Sequence, residues 1–169
     1  MNNHLKDILT SLSRGGVKFV VCGGVAVVLH GVERLTMDVD LSVSMEYDNL
    51  TRLLNVIKEL GMVPRVPVPA ESLLDPEKRR IMTEVKNALV FTFIDINSPY
   101  RQIDIFLGKD ILYSELMNDA VIIKLAGADI PVVSIKNLIQ MKKGVNPLRE
   151  KDITDIRELS KIAGGSHES

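Results

Sequence analysis

The sequence predicts an α/β (α+β) fold built on a mixed sheet with helices. Two observations carry that prediction. Short β-branched runs alternate with stretches of helical spacing, and two pairs of those runs are joined by turn residues into adjacent hairpins. Hairpins beside helices argue against a regular doubly wound sheet, in which strand and helix alternate throughout. The 169 residues suit one domain, expected over residues 1–163, with residues 164–169 as a disordered tail.

The elements follow in chain order. Leu5, Ile8, Leu9 and Leu12 form a helical stripe stopped by Gly15-Gly16. Residues 17–22 read as a buried strand, and after Gly23-Gly24 a short helix runs over 25–30 to Gly31. Residues 37–43 alternate, with Asp38, Asp40 and Ser42 on one side and Val39, Leu41 and Val43 on the other. Leu50, Leu53, Leu54, Ile57 and Leu60 mark an amphipathic helix over 47–60. Pro64, Pro67 and Pro69 predict an extended loop. Asp75 then caps a helix with Pro76 in its first turn. Strands over 89–96 and 102–107 flank a turn at Asn97-Ser98-Pro99, and strands over 121–125 and 130–133 flank Gly127-Ala128-Asp129. Ser134 caps a helix ending at Lys143, and a last helix covers 150–162.

Composition narrows the function. With 21 Lys+Arg against 22 Asp+Glu, the net charge of -1 does not suit a protein that coats nucleic acid. Aromatics at 4% and no Trp argue against stacking platforms for single strands. Cys22 alone can form neither an internal disulfide nor a zinc cluster, which suits the cytoplasm. The start Met1-Asn2-Asn3-His4 lacks the pattern of a signal peptide, and the longest apolar run, 19–29, is far below the ~20 residues of a spanning helix. A cytoplasmic protein without membrane partners is therefore expected.

Asp38 and Asp40 carry the chemistry. Two apart on a strand, their carboxylates point the same way and repel. A divalent cation with oxygen ligands relieves that repulsion, and Mg²⁺ typically takes one or two carboxylates plus substrate phosphates. Ile103-Asp104-Ile105 repeats one acid between apolar residues and supplies a third carboxylate if its strand neighbours the first. Acids at this spacing also decorate ordinary solvated strands. What lifts them above that is Gly23-Gly24 just upstream, at a strand-to-helix junction where free amides can meet an anion. Val25 and Ala26 after Gly24 exclude a P-loop, and the glycine spacing excludes a dinucleotide fingerprint.

Gly23-Gly24 followed by Arg34-Leu35-Thr36-Met37-Asp38-Val39-Asp40 resembles the nucleotidyltransferase superfamily that includes DNA polymerase beta and kanamycin nucleotidyltransferase. It is most similar to small single-domain members related to AbiEii-type toxin enzymes. The similarity continues through Ile103-Asp104-Ile105, the strand and helix over 130–142, and Arg149-Glu150-Lys151-Asp152. One departure is Gly24, where many members carry serine.

The resemblance implies a nucleotidyltransferase fold with the acids on one face of the sheet and helices packed on the other. It implies transfer of a nucleoside monophosphate from an NTP to an acceptor hydroxyl, with release of pyrophosphate. Asp38 and Asp40 would bridge two Mg²⁺ ions (or Mn²⁺), and Asp104 would ligate the acceptor-side ion and take the hydroxyl proton. Gly23, Gly24, Arg34, Thr36 and Lys142 would hold the nucleotide. The acceptor stays open between a small molecule such as an antibiotic, a protein hydroxyl and an RNA end, and an oligomer is compatible with the pattern. The rival expectation is a catalytically silent nucleotide- or partner-binding protein, part of a toxin–antitoxin pair.

Overall fold

A computed structural model of the chain describes residues 3–109 and 112–165. Its elements run α1 (Asn3–Arg14), β1 (Phe19–Cys22), α2 (Gly23–Leu29), β2 (Asp38–Val43), α3 (Tyr47–Glu59) and β3 (Met62–Pro64). After a 3₁₀ turn (Ala70–Leu74) come α4 (Pro76–Arg80), a π-helical turn (Ile81–Val85), β4 (Val90–Asp95), β5 (Ser98–Phe106) and α5 (Tyr113–Met117). β6 (Val121–Leu125), β7 (Ala128–Val132), α6 (Ile135–Lys143) and α7 (Glu150–Gly165) complete the order.

The strands form one seven-stranded mixed sheet in the order β3-β4-β5-β2-β1-β7-β6. β2 pairs parallel with β5 and β1 parallel with β7, while the other neighbours are antiparallel. Register sorts the side chains. Val39 stands beside Ile103 and Leu41 beside Ile105, and Phe93 and Phe91 continue that apolar row onto β4. These residues are almost wholly buried, in one core with Leu9 and Leu12 of α1 and Leu50 and Leu53 of α3. Each such side chain contributes about 1.5–3 kcal/mol by leaving water. Because strand side chains alternate, the same pairing sends Asp38, Asp40 and Asp104 to the opposite face. α6 and the start of α7 stand along the margin of that face.

Capping residues act as expected. Asp75 accepts from the Glu77 and Lys78 amides, and Ser134 accepts from the Asn137 amide. The proline-rich loop differs from expectation at its start, where Met62–Pro64 pairs as an edge strand with β4. Pro64 fits there because an edge strand need not donate on both sides. The short α5 was not anticipated either. Both hairpin turns sit earlier than expected. Ala126 and Gly127 make the second, both with positive φ, as a two-residue turn of this hand requires. In the first, the Asn97 amide bonds the Asp95 carboxylate at 2.8 Å and Ser98 already pairs in β5. The last helix runs to Gly165, beyond the expected end at Ile162. The tail expected at 164–169 thus begins inside that helix, and residues 166–169 lie outside the described residues. No helix among the described residues is long and apolar enough to cross a membrane.

Candidate active site

The parallel pairing of β2 with β5 sets Asp40 directly beside Asp104, and Asp38 beside Gln102. All three acids line one cleft of about 360 Å³, together with Gly23, Gly24, Arg34, Thr36 and Lys142. The eight residues singled out in the sequence are therefore brought to one place.

Burial and mutual repulsion make the acid cluster costly without a cation. Burial pushes the Asp40 carboxyl up to about 7, with the charges of Asp104 and Asp38 adding to the shift and Lys142 and Lys151 opposing it. Burial and Asp104 also raise Asp38, while Lys151 and Arg65 oppose. Asp104 is held on both oxygens: the Thr92 hydroxyl donates to Oδ1 at 2.6 Å and the Gln102 amide donates to Oδ2 at 3.3 Å.

The glycine pair has a steric cause. Gly23 has φ +61, and a Cβ there would fall 1.9 Å from Asp40 Oδ2, so only glycine lets this carboxylate rest against the start of α2. A Cβ on Gly24 would stand 2.8 Å from Thr36 Oγ1 and 3.3 Å from the Arg34 guanidinium carbon. The space a serine would use at position 24 is already taken by a hydroxyl, that of Thr36. No side chain caps α2, and its first-turn amides have no intrahelical acceptor.

Along the cleft wall runs an ion network whose acids lie on α7, where Arg149, Lys151 and Asp152 read in the sequence as a solvated helix start. Asp155 accepts from Arg34 and stands 2.8 Å from Lys142 Nζ, and Asp152 stands 3.7 Å from the same ammonium. Arg149 Nε donates to Asp152 at 2.7 Å and holds that carboxyl below its ordinary range. Asp152 and Asp155 are only 1% and 3% exposed, which a solvated helix start would not be. Their spacing of three along α7 was the available signal, since it puts both on one helical face.

The remaining polar candidates have structural partners. His30 Nε2 lies 2.7 Å from the Val133 carbonyl, and Cys22 is fully buried with its thiol pushed up by burial. Among the described residues no three His, Cys, Asp or Glu side chains close into a ready-made metal cage. The donor set nevertheless fits Mg²⁺: hard carboxylate oxygens on one open face, with positions left for phosphate and water.

If Gly24 lines an NTP site, Gly24→Val should weaken NTP binding by about tenfold while the fold persists, because the added methyls press on the Thr36 hydroxyl and the Arg34 guanidinium. Calorimetry with ATP and Mg²⁺, beside a melting curve, measures both. Unchanged affinity in a folded variant would show that the glycine serves packing alone.

A mixed sheet with paired acids over a glycine-lined helix start is the architecture of the nucleotidyltransferase superfamily. The model of the aminoglycoside-2''-adenylyltransferase family matches residues 4–159, and the chain belongs to that family. Among solved structures it is similar to the lincosamide antibiotic adenylyltransferase LnuA with lincomycin bound, at 18% identity and TM-score 0.64, covering 96% of this chain and 98% of that one. It is also similar to ANT(2'')-Ia in complex with adenylyl-2''-tobramycin, at 15% identity and TM-score 0.58, covering 96% and 89%. An antigenic nucleotidyltransferase-like protein from Paracoccidioides brasiliensis follows at 14% identity and TM-score 0.52, covering 94% and 76%. At such identities these three likenesses bear on the fold. No curated protein matches the chain. The superfamily expected from the sequence is thus borne out, while kinship to the toxin-type enzymes stays a reading of the sequence alone.

Proposed function

We propose that the chain, as one nucleotidyltransferase domain over residues 1–163 working in the cytoplasm, transfers a nucleoside monophosphate from an NTP to an acceptor hydroxyl and releases pyrophosphate. The family name favours ATP as donor. The observation that carries the proposal is the registered pair Asp40–Asp104, with Asp38 on the same face and the Asp40 carboxylate lodged against Gly23. Carboxylates forced together by the sheet, with the pKa values of Asp38 and Asp40 raised, need a cation to be stable while charged.

The acceptor oxygen attacks the α-phosphorus, the bond from that phosphorus to the bridging oxygen breaks, and its electron pair leaves with pyrophosphate. Asp104, steadied by Thr92 and Gln102, takes the hydroxyl proton. Two Mg²⁺ ions held by Asp38, Asp40 and Asp104 would offset the triphosphate charge and lower the pKa of the hydroxyl. The Gly23 and Gly24 amides and the Thr36 hydroxyl serve as phosphate donors. Arg34 and Lys142 add positive charge at the cleft wall, anchored by Asp155.

Calorimetry tests the proposal. ATP should bind with Mg²⁺ or Mn²⁺ and fail to bind in excess chelator; equal binding in both would defeat it. Binding should also depend on pH. Asp40 must lose its proton to ligate, so below about 7 protons compete, and affinity should fall by up to about tenfold per pH unit. Transfer of label from ATP into a cell-extract acceptor separates an enzyme from a silent nucleotide-binding protein.

A further inference from the structure

A second concavity of about 700 Å³ adjoins the acid face, a size suited to a drug-sized ligand. Its wall is mostly apolar, with Val66, Val68, Met82, Val90 and Leu107. Thr92 belongs to this wall and also donates its hydroxyl to Asp104, so the groove begins one residue from the proposed base. Arg65 joins the two regions a second way: it lines the groove and donates to Gln102 Oε1 at 3.3 Å, and Gln102 in turn donates to Asp104.

The charge of the groove is one-sided. Arg65, Lys78 and Lys86 line it and no acidic residue does, among the described residues. None of these three cations forms an ion pair among the described residues, although nearby Arg80 is paired with both Glu77 and Glu84. A polyamine sugar would bring several ammonium groups to an apolar wall edged by like charge. An apolar body with one anionic group would meet both features.

We propose that this groove seats the acceptor, and that the acceptor is a largely apolar, hydroxyl-bearing small molecule with an anionic group rather than a polycation. The proposal rests on the nucleotidyl-transfer reading for its reaction but not for its binding. The apolar groove positions the acceptor body, Lys78 and Lys86 hold its anionic end, and Arg65 stands where the groove meets the acid face. The hydroxyl is then left to reach toward Asp104.

The test titrates the full chain, without nucleotide, with 12-hydroxydodecanoate, with 12-aminododecan-1-ol and with tobramycin. The hydroxy acid should bind saturably and at least about tenfold more tightly than either cation. Met82→Glu should abolish that binding. The exposed pair Lys78→Glu with Lys86→Glu should reverse the preference toward the amino alcohol, and it keeps the test decisive if Met82→Glu fails to fold. Tighter binding of tobramycin, or hydroxy-acid binding that is non-saturable or indifferent to these variants, overturns the proposal. A separate titration of the parent with ATP and Mg²⁺ tells the two readings apart: loss there removes the nucleotidyl-transfer reading, while groove binding is judged on its own.

Discussion

Asp104→Asn should retain binding of ATP with Mg²⁺ while transfer falls by about 10²-fold or more, because the variant loses the proton acceptor and one acceptor-side ligand. Asp40→Asn should behave otherwise, with nucleotide binding and transfer falling together, since this carboxylate lies between Gly23 and Asp104 and serves both proposed ions. Stability supplies an independent signature. A carboxyl raised from 3.8 to about 7 on folding binds a proton in the native state that the unfolded chain releases. Its stabilising contribution is complete below the unfolded pKa and is lost as pH climbs through the native one. Metal-free parent protein should therefore become less stable between pH 4 and 8, by an amount on the order of a few kcal/mol. Asp40→Asn should melt higher than the parent at pH 8, and the gap should shrink toward pH 5. Melting curves in chelator measure this directly. A variant that melts well below the parent at pH 8 would identify Asp40 as the structural partner of a cation.

Asp155→Ala should strongly destabilise the fold. It strips the near partner from Lys142, which is 7% exposed, and releases Arg34. Breaking a buried ion pair from one side costs about 3–5 kcal/mol, and here the ammonium stays out of water with only the longer contact to Asp152 left. For a chain of this size the melting temperature should drop by about 10 °C. Replacing both partners, Asp155→Leu with Lys142→Met, should recover most of that stability. It should not recover nucleotide affinity, since Arg34 would lose its anchor beside Gly24. If the double variant regains both, the network is structural only.

The legible part of this site was the part written in strand periodicity. Asp38, Asp40 and Asp104 could be read because one acid between apolar neighbours fixes the face whatever the strand's partner is. The caps at Asp75 and Ser134 were equally local. Asp152 and Asp155 were legible only as two acids on one helical face, because a charged helix start looks the same whether it faces water or a lysine from another helix. Arg34, distant in sequence, and Lys142, on the helix just before, decide the matter. The short β3 and α5 escaped for a related reason: three residues ending in Pro64, and one turn burying chiefly Leu116, hold their shape through neighbours rather than through a pattern of their own. The turn at Ala126 was missed because alanine rarely takes positive φ, and here the tight connection of β6 to β7 imposes it.

The parallel pairing of β2 with β5 has a consequence for how the protein is made. Strands that run the same way cannot be joined by a tight turn, so the chain must complete α3, β3 and β4 before Asp104 can reach Asp40. The contact closes a long loop, and its entropic cost is met only when the later strand has emerged. A ribosome stalled before β5 would hold the glycine pair and the first two acids without the third, and β1 without its partner β7. The acid cluster is therefore assembled only after β5 has emerged, and the proposed grip on a metal-bound triphosphate, which also draws on Lys142 of α6, would come later still.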